Sequence, residues 1–134
     1  MRGKRILIGI TGGIAAYKTP LLVRLLKKAG AEVKCVMTPS AKDFVTTGVL
    51  STLSENIVYD SFWDDNDKRW NNHVDLGIWA DLFVVAPLTA TTLSKWVFGN
   101  AEGLVSSILI ANAKPVIVAP AMNTNMWMNL AVQN

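Results

Sequence analysis

The chain has 134 residues, 51% of them hydrophobic and 17% charged; this describes one domain with a real core and excludes a disordered segment. Its net charge of +3 comes from scattered basic residues that form no stripe with aromatics, so nucleic-acid binding is not expected. The apolar runs are strand-sized, too short to span a bilayer, and the lone Cys35 excludes an internal disulfide and fits a reduced, cytoplasmic setting.

The amino end is basic (Arg2, Lys4, Arg5), but the apolar stretch after it is broken by Thr11-Gly12-Gly13 and lacks the h-region and cleavage site of a signal peptide. Lys4 to Ile10 reads as a buried strand. From Ile14, Leu21, Leu22, Leu25 and Leu26 recur at helical spacing, opposite Lys18, Arg24, Lys27 and Lys28. Gly30 closes this helix, and Pro20 either bends its first turn or delays its start. Glu32 to Met37 is the second strand, with Cys35 in the core, and it ends at Thr38-Pro39-Ser40. A short helix over about 41–53 and a third strand near Ile57-Tyr59 follow. Asp60 to Asn72 reads as an irregular loop carrying Trp63 and Trp70. Leu82 to Ala86 is the fourth strand, Thr89 to Phe98 and Gly103 to Ala111 are helical, and Val116 to Ala119 is the fifth strand. No internal repeat is visible.

Alternation of this kind predicts a parallel α/β sheet with helices on both faces and right-handed crossovers. Such sheets gather their binding loops at the strands' carboxyl ends. Four loops qualify: Thr11-Gly13, Thr38-Ser40, Pro87-Thr92 and Pro120-Trp127. Thr11-Gly12-Gly13 reads equally as a phosphate cradle at a helix start or as a tight turn; it is neither a dinucleotide fingerprint nor a P-loop. One hydroxyl of Thr89, Thr91 and Thr92 is explained by helix capping. All three, beside Thr38 and Ser40, fit a set of uncharged donors around a phosphate or a heteroaromatic edge. Pro120-Ala121-Met122-Asn123 through Met126-Trp127 can line an apolar slot while presenting one amide.

His73 is the only histidine. It has the reference pKa of a general base, although a lone loop histidine is more often one without a task. No metal site is expected, because no second histidine or cysteine pair is available. Residues 71–134 hold only five charged side chains, Asp75, Asp81, Lys95, Glu102 and Lys114. That half is therefore expected to be buried in part against other copies of the chain.

Taken together, Ile10-Thr11-Gly12-Gly13-Ile14-Ala15-Ala16-Tyr17-Lys18, His73-Val74-Asp75-Leu76 with Trp79-Ala80-Asp81, Ala86-Pro87-Leu88-Thr89-Ala90-Thr91-Thr92-Leu93 and Pro120-Ala121-Met122-Asn123 with Met126-Trp127 resemble the homo-oligomeric flavin-containing cysteine decarboxylases. The similarity spans essentially the whole chain. It implies one FMN-binding domain over 1–134 with a three-layer, Rossmann-like fold, in trimers or higher assemblies with the active site at the subunit boundary. It implies FMN contacts from Gly12, Gly13, Thr38, Ser40, Thr89, Ala90, Thr91, Thr92 and Ala121. His73 would be the base, and Asn123, with Met122, would hold the substrate carboxylate. The implied reaction is FMN-dependent loss of CO2 from phosphopantothenoylcysteine, on the route to coenzyme A, through oxidation of the cysteine thiol to a thioaldehyde. The alternatives are a peptidyl-cysteine substrate or a non-catalytic regulatory or assembly subunit; flavin prenyltransferases are more distant.

Two departures from the family pattern stand out. Leu88, Thr89 and Thr91 replace the Ala, Ser and Asn of its Pro-Ala-Ser-Ala-Asn-Thr segment. The family's flexible substrate clamp, with its cysteine in the pantothenate-pathway members, is not found before Asn134, and strand-bound Cys35 cannot stand in for it. A shortened domain that binds FMN with weak or no turnover is the expectation.

Overall fold

The computed structural model describes residues 2–61, 63–64, 69–70, 73–111 and 114–120, with 63–64, 69–70 and 73 as backbone only. Five parallel strands form the central sheet: β1 (Arg5–Ile10), β2 (Glu32–Met37), β3 (Val58–Tyr59), β6 (Leu82–Leu88) and β7 (Val116–Pro120), in the order β3-β2-β1-β6-β7. Two short strands, β4 (Trp63–Asp64) and β5 (Arg69–Trp70), pair antiparallel outside it, Trp63 opposite Trp70. The stretch expected to be irregular thus carries a short two-stranded ribbon.

Side chains of β1 alternate between two cores, as the pleat requires. Ile6, Ile8 and Ile10 point to one face and join Val33, Cys35 and Met37 of β2. This face is covered by α1 (Thr19–Lys28) and α2 (Thr47–Ser54), which contribute Val23 and Leu50. Leu7 points to the other face with Phe83 and Val85 of β6, beneath Leu76 of α3 (His73–Trp79) and Leu104, Val105, Ile108 and Leu109 of α5 (Leu104–Ala111). A strand buried on both faces needs apolar residues at nearly every position, which is why Ile6-Leu7-Ile8 carries no polar alternation.

The helices differ from the expected ones in two places, and in a third the structure takes one of the two alternatives that Pro20 left open. A 3-10 turn at Ile14–Lys18 precedes α1, which starts late and takes Pro20 in its first turn, where no N–H is needed. Only Leu22 and Leu26 of the four leucines pack inward; Leu21 and Leu25 are 58% and 55% exposed. Two adjacent leucine pairs cover more than one helix face, and Thr19 and Val23 complete the buried arc instead. The single helix expected over 41–53 is split into a 3-10 turn at Pro39–Asp43 and α2. Thr46 restarts the helix by accepting the Val49 N–H at 3.2 Å.

Gly30 closes α1 with φ +95°, in the left-handed region that side chains avoid. Lys114 closes α3 by donating to the carbonyls of Ile78 (2.7 Å) and Ala80 (2.6 Å) at its carboxyl end, where a cation also meets the negative end of the helix dipole. Among the described residues no helix is long and apolar enough to cross a membrane.

Candidate functional site

The strand order places a topological switch point between β1 and β6: the chain winds outward from β1 through β2 to β3, then returns to β6 on the other side of β1. Loops leaving these two neighbours diverge, and a crevice opens outside their carboxyl ends. Thr11 ties the two loops together there. Its hydroxyl, completely buried, donates to the Pro87 carbonyl at 2.5 Å and accepts from the Thr89 N–H at 3.0 Å. The third loop is joined by the Thr38 N–H, which donates to the Ile10 carbonyl at 3.0 Å.

A cavity of about 560 Å³ lies over these loops, within the range of ~300–1,000 Å³ usual for small-molecule sites. Gly12, the Thr38-Pro39-Ser40 turn, and Thr89, Thr91 and Thr92 at the start of α4 (Ala90–Val97) line it. Three of the four loops expected from the sequence are thus brought together. Gly13 and Ala90 belong to the same loops without lining the cavity. Ala121, Met122 and Asn123 lie outside the described residues. His73 is the first residue of α3, and its side chain is likewise outside them. Since α3 leads into the start of β6, and crossover helices run antiparallel to their strands, its amino end, with the His73 backbone, is turned toward the strands' carboxyl ends.

The wall formed by these three loops is built of small uncharged donors. Thr89 caps α4, its hydroxyl accepting from the Thr92 N–H at 3.4 Å and lying 3.3 Å from the Thr92 hydroxyl. The hydroxyls of Thr38 and Ser40 are 3.3 Å apart. Gly12 sits so close to the β2 loop that a Cβ there would overlap Ser40 Oγ and come within 2.6 Å of Ser40 Cβ. Backbone approach of this kind, beside hydroxyls and helix starts, suits a phosphorylated cofactor. No cluster of three or more metal-ligating side chains occurs among the described residues.

The sequence reading missed the remaining wall: Lys95 on α4, and Glu102 through Ser106 entering α5. Lys95 had a usable signal, since it follows Thr91 and Thr92 by four and three positions and so shares their helix face. For 102–106 no local signal existed, because it is tertiary packing that carries the start of α5 across the crevice.

A small-molecule site at the switch point of a five-stranded parallel sheet is the class of protein this architecture describes, and the family comparison narrows it. The chain belongs to the flavoprotein family, whose model matches residues 1–134. It is 45% identical over 134 residues to the coenzyme A biosynthesis bifunctional protein CoaBC of Escherichia coli (strain K12), covering all of this chain and 33% of that protein. It spans about a third of the length of the curated relatives it matches. Among solved structures, it is similar to a PPC decarboxylase variant complexed with pantothenoylaminoethenethiol, with TM-score 0.82, 34% identity, and 98% of this chain and 74% of that one covered. It is also similar to the FMN-dependent cysteine decarboxylase SpaF, with TM-score 0.87, 30% identity, and 97% and 75% covered. The expected fold class and the resemblance to flavin-containing cysteine decarboxylases are both borne out.

Proposed function

We propose that this chain is the FMN-binding decarboxylase part of a coenzyme A biosynthesis protein, acting on phosphopantothenoylcysteine. The observation that carries the reading is the cavity over Gly12, Thr38, Ser40 and Thr89–Thr92 at the β1/β6 switch point. The identity to CoaBC, higher than to SpaF, favours the pantothenate-derived substrate over a peptidyl cysteine.

The residues fit the cofactor. Gly12 leaves the space that a phosphate or ribityl oxygen needs, and the Ser40, Thr89, Thr91 and Thr92 hydroxyls supply neutral donors without excess charge. Gly13, Ala90 and Ala121 would add backbone contacts. A bound flavin supplies two-electron oxidation at the carbon bearing the substrate thiol, which gives decarboxylation an electron sink at sulfur. His73 would take the thiol proton, and Asn123, flanked by Met122, would hold the carboxylate by hydrogen bonds.

Apolar side chains left exposed on the second half, Phe98 at 83% and Ile78 at 66%, support assembly with further copies, as does the stripe of Ile14, Tyr17, Leu21 and Leu25 in the first half. A trimer or a higher assembly, in the cytoplasm, is the form proposed.

The test is anaerobic mixing of the FMN-loaded chain with phosphopantothenoylcysteine. The expected result is loss of the flavin's visible absorbance together with CO2 release; His73→Asn retains FMN but loses both signals. Equal response to a peptide ending in cysteine would move the substrate to the peptidyl class. FMN retained with no response to either would leave a non-catalytic flavin fold.

A further inference from the structure

The last residues of β6 leave the regular ladder. Register with β1 ends at Gly9 opposite Val85, and register with β7 shifts between Val85 and Leu88. The carbonyls of Ala86 and Pro87 lie in this irregular stretch, and carbonyls withdrawn from water need donors. Two threonine hydroxyls from the β1 side supply them. Thr19, the first residue of α1 and 4% exposed, donates to the Ala86 carbonyl at 2.9 Å. The buried Thr11 hydroxyl donates to the Pro87 carbonyl and accepts the Thr89 N–H.

These three bonds grip the approach to α4. Leu88 is fixed in the core beneath α5, and Thr89, next in the chain, caps α4. The place of Thr89 therefore sets the direction in which Thr91 and Thr92 reach the cavity wall. Gly13 closes on the same segment from the side: a Cβ there would meet Thr89 Cγ2 at 3.3 Å and Pro87 Cγ at 3.7 Å. Neither Thr11 nor Thr19 lines the cavity. A threonine hydroxyl has one proton, and that of Thr11 is spent on Pro87, while the Thr89 N–H is spent on Thr11. These groups act on the site through the backbone and not by touching a ligand.

We infer that Thr11 and Thr19 are positioning residues, a two-hydroxyl clasp by which β1 and α1 hold the first turn of α4 against the ligand in the cavity. The ligand's identity as FMN rests on the flavoprotein reading; the clasp does not.

The experiment compares the wild-type chain with Thr11→Val, Thr19→Val, the conservative Thr11→Ser, and Ser54→Ala, which removes a buried hydroxyl outside the cavity wall. Amide hydrogen exchange at Thr89 is read on the flavin-free chain, and FMN affinity by fluorescence titration. Thr11→Val strands a buried carbonyl and a buried N–H; it should release the Thr89 amide to exchange and weaken FMN by roughly 10- to 100-fold. Thr19→Val, which loses one bond, should weaken it less, and Thr11→Ser should keep both signals near wild type. Ser54→Ala should lower the unfolding temperature and leave both signals unchanged. Wild-type FMN affinity in a folded Thr11→Val chain would overturn the inference. So would an equal loss in Ser54→Ala, which would trace the effect to overall stability. Should Thr11→Val fail to fold, Thr19→Val carries the test with the same two outcomes. If the wild type binds no FMN while Thr89 protection still follows the Thr11 hydroxyl, the clasp stands and the flavoprotein reading falls.

Discussion

Replacing Gly12 with alanine should weaken FMN binding by roughly 10- to 100-fold while the sheet stays folded. The new Cβ would overlap Ser40 Oγ, and it would also lie 3.0 Å from the Ser40 carbonyl carbon. The side chain of Ser40 can rotate away, but its backbone is fixed in the Pro39–Asp43 3-10 turn, where the Phe44 N–H bonds the Ala41 carbonyl at 3.0 Å. The β1 and β2 loops must therefore separate at the point where a phosphorylated ligand would enter. Overpacking at a tight position costs about 1–3 kcal/mol, or roughly 10- to 100-fold in affinity if it falls on binding. FMN fluorescence titration reads the affinity and thermal unfolding reads the fold. Wild-type affinity in Gly12→Ala would show that these loops do not hold the cofactor.

The second large effect concerns stability at alkaline pH. Burial pushes the Cys35 thiol up from its ordinary value of 9.0 to about 12. The side chain is fully buried between Val33 and Met37 against Ile8, so a thiolate there would be stripped of water. The folded state thus keeps this proton over a range in which the unfolded chain releases it. Its contribution is fully present below pH 9 and declines as pH rises toward 12, at about 1.4 kcal/mol per pH unit and about 4 kcal/mol in all. Urea unfolding of the wild type and Cys35→Ala across pH 8–11 isolates it. The stability difference between them should be constant to pH 9 and then shrink steadily. A difference independent of pH would mean that the thiolate is tolerated or that the site opens to water.

Much of this molecule could be read from local pattern. Ile6-Leu7-Ile8 and Val84-Val85 declare doubly buried strands, and Gly30 and the Thr89 cap declare helix ends, because these depend on neighbours within a few residues. Strand order does not: nothing near Leu82 says that β6 will lie beside β1, yet that neighbour relation creates the crevice. The hydroxyls of Thr38, Ser40, Thr89 and Thr91 were legible as a set only because α/β sheets send such loops to one edge. Lys95 and the first turn of α5 were not, since their place on the cavity follows from how helices pack on the finished sheet. Leu21 and Leu25 point the same way, because helical spacing marks them as apolar without saying what covers them.

The most direct measurement is the visible absorption spectrum of the purified chain, followed by its titration with FMN. The loops over β1, β2 and β6 should retain or take up one flavin per chain, with its absorption bands perturbed from those of free FMN. A colourless protein whose addition leaves the FMN spectrum and fluorescence unchanged would contradict the account at its root.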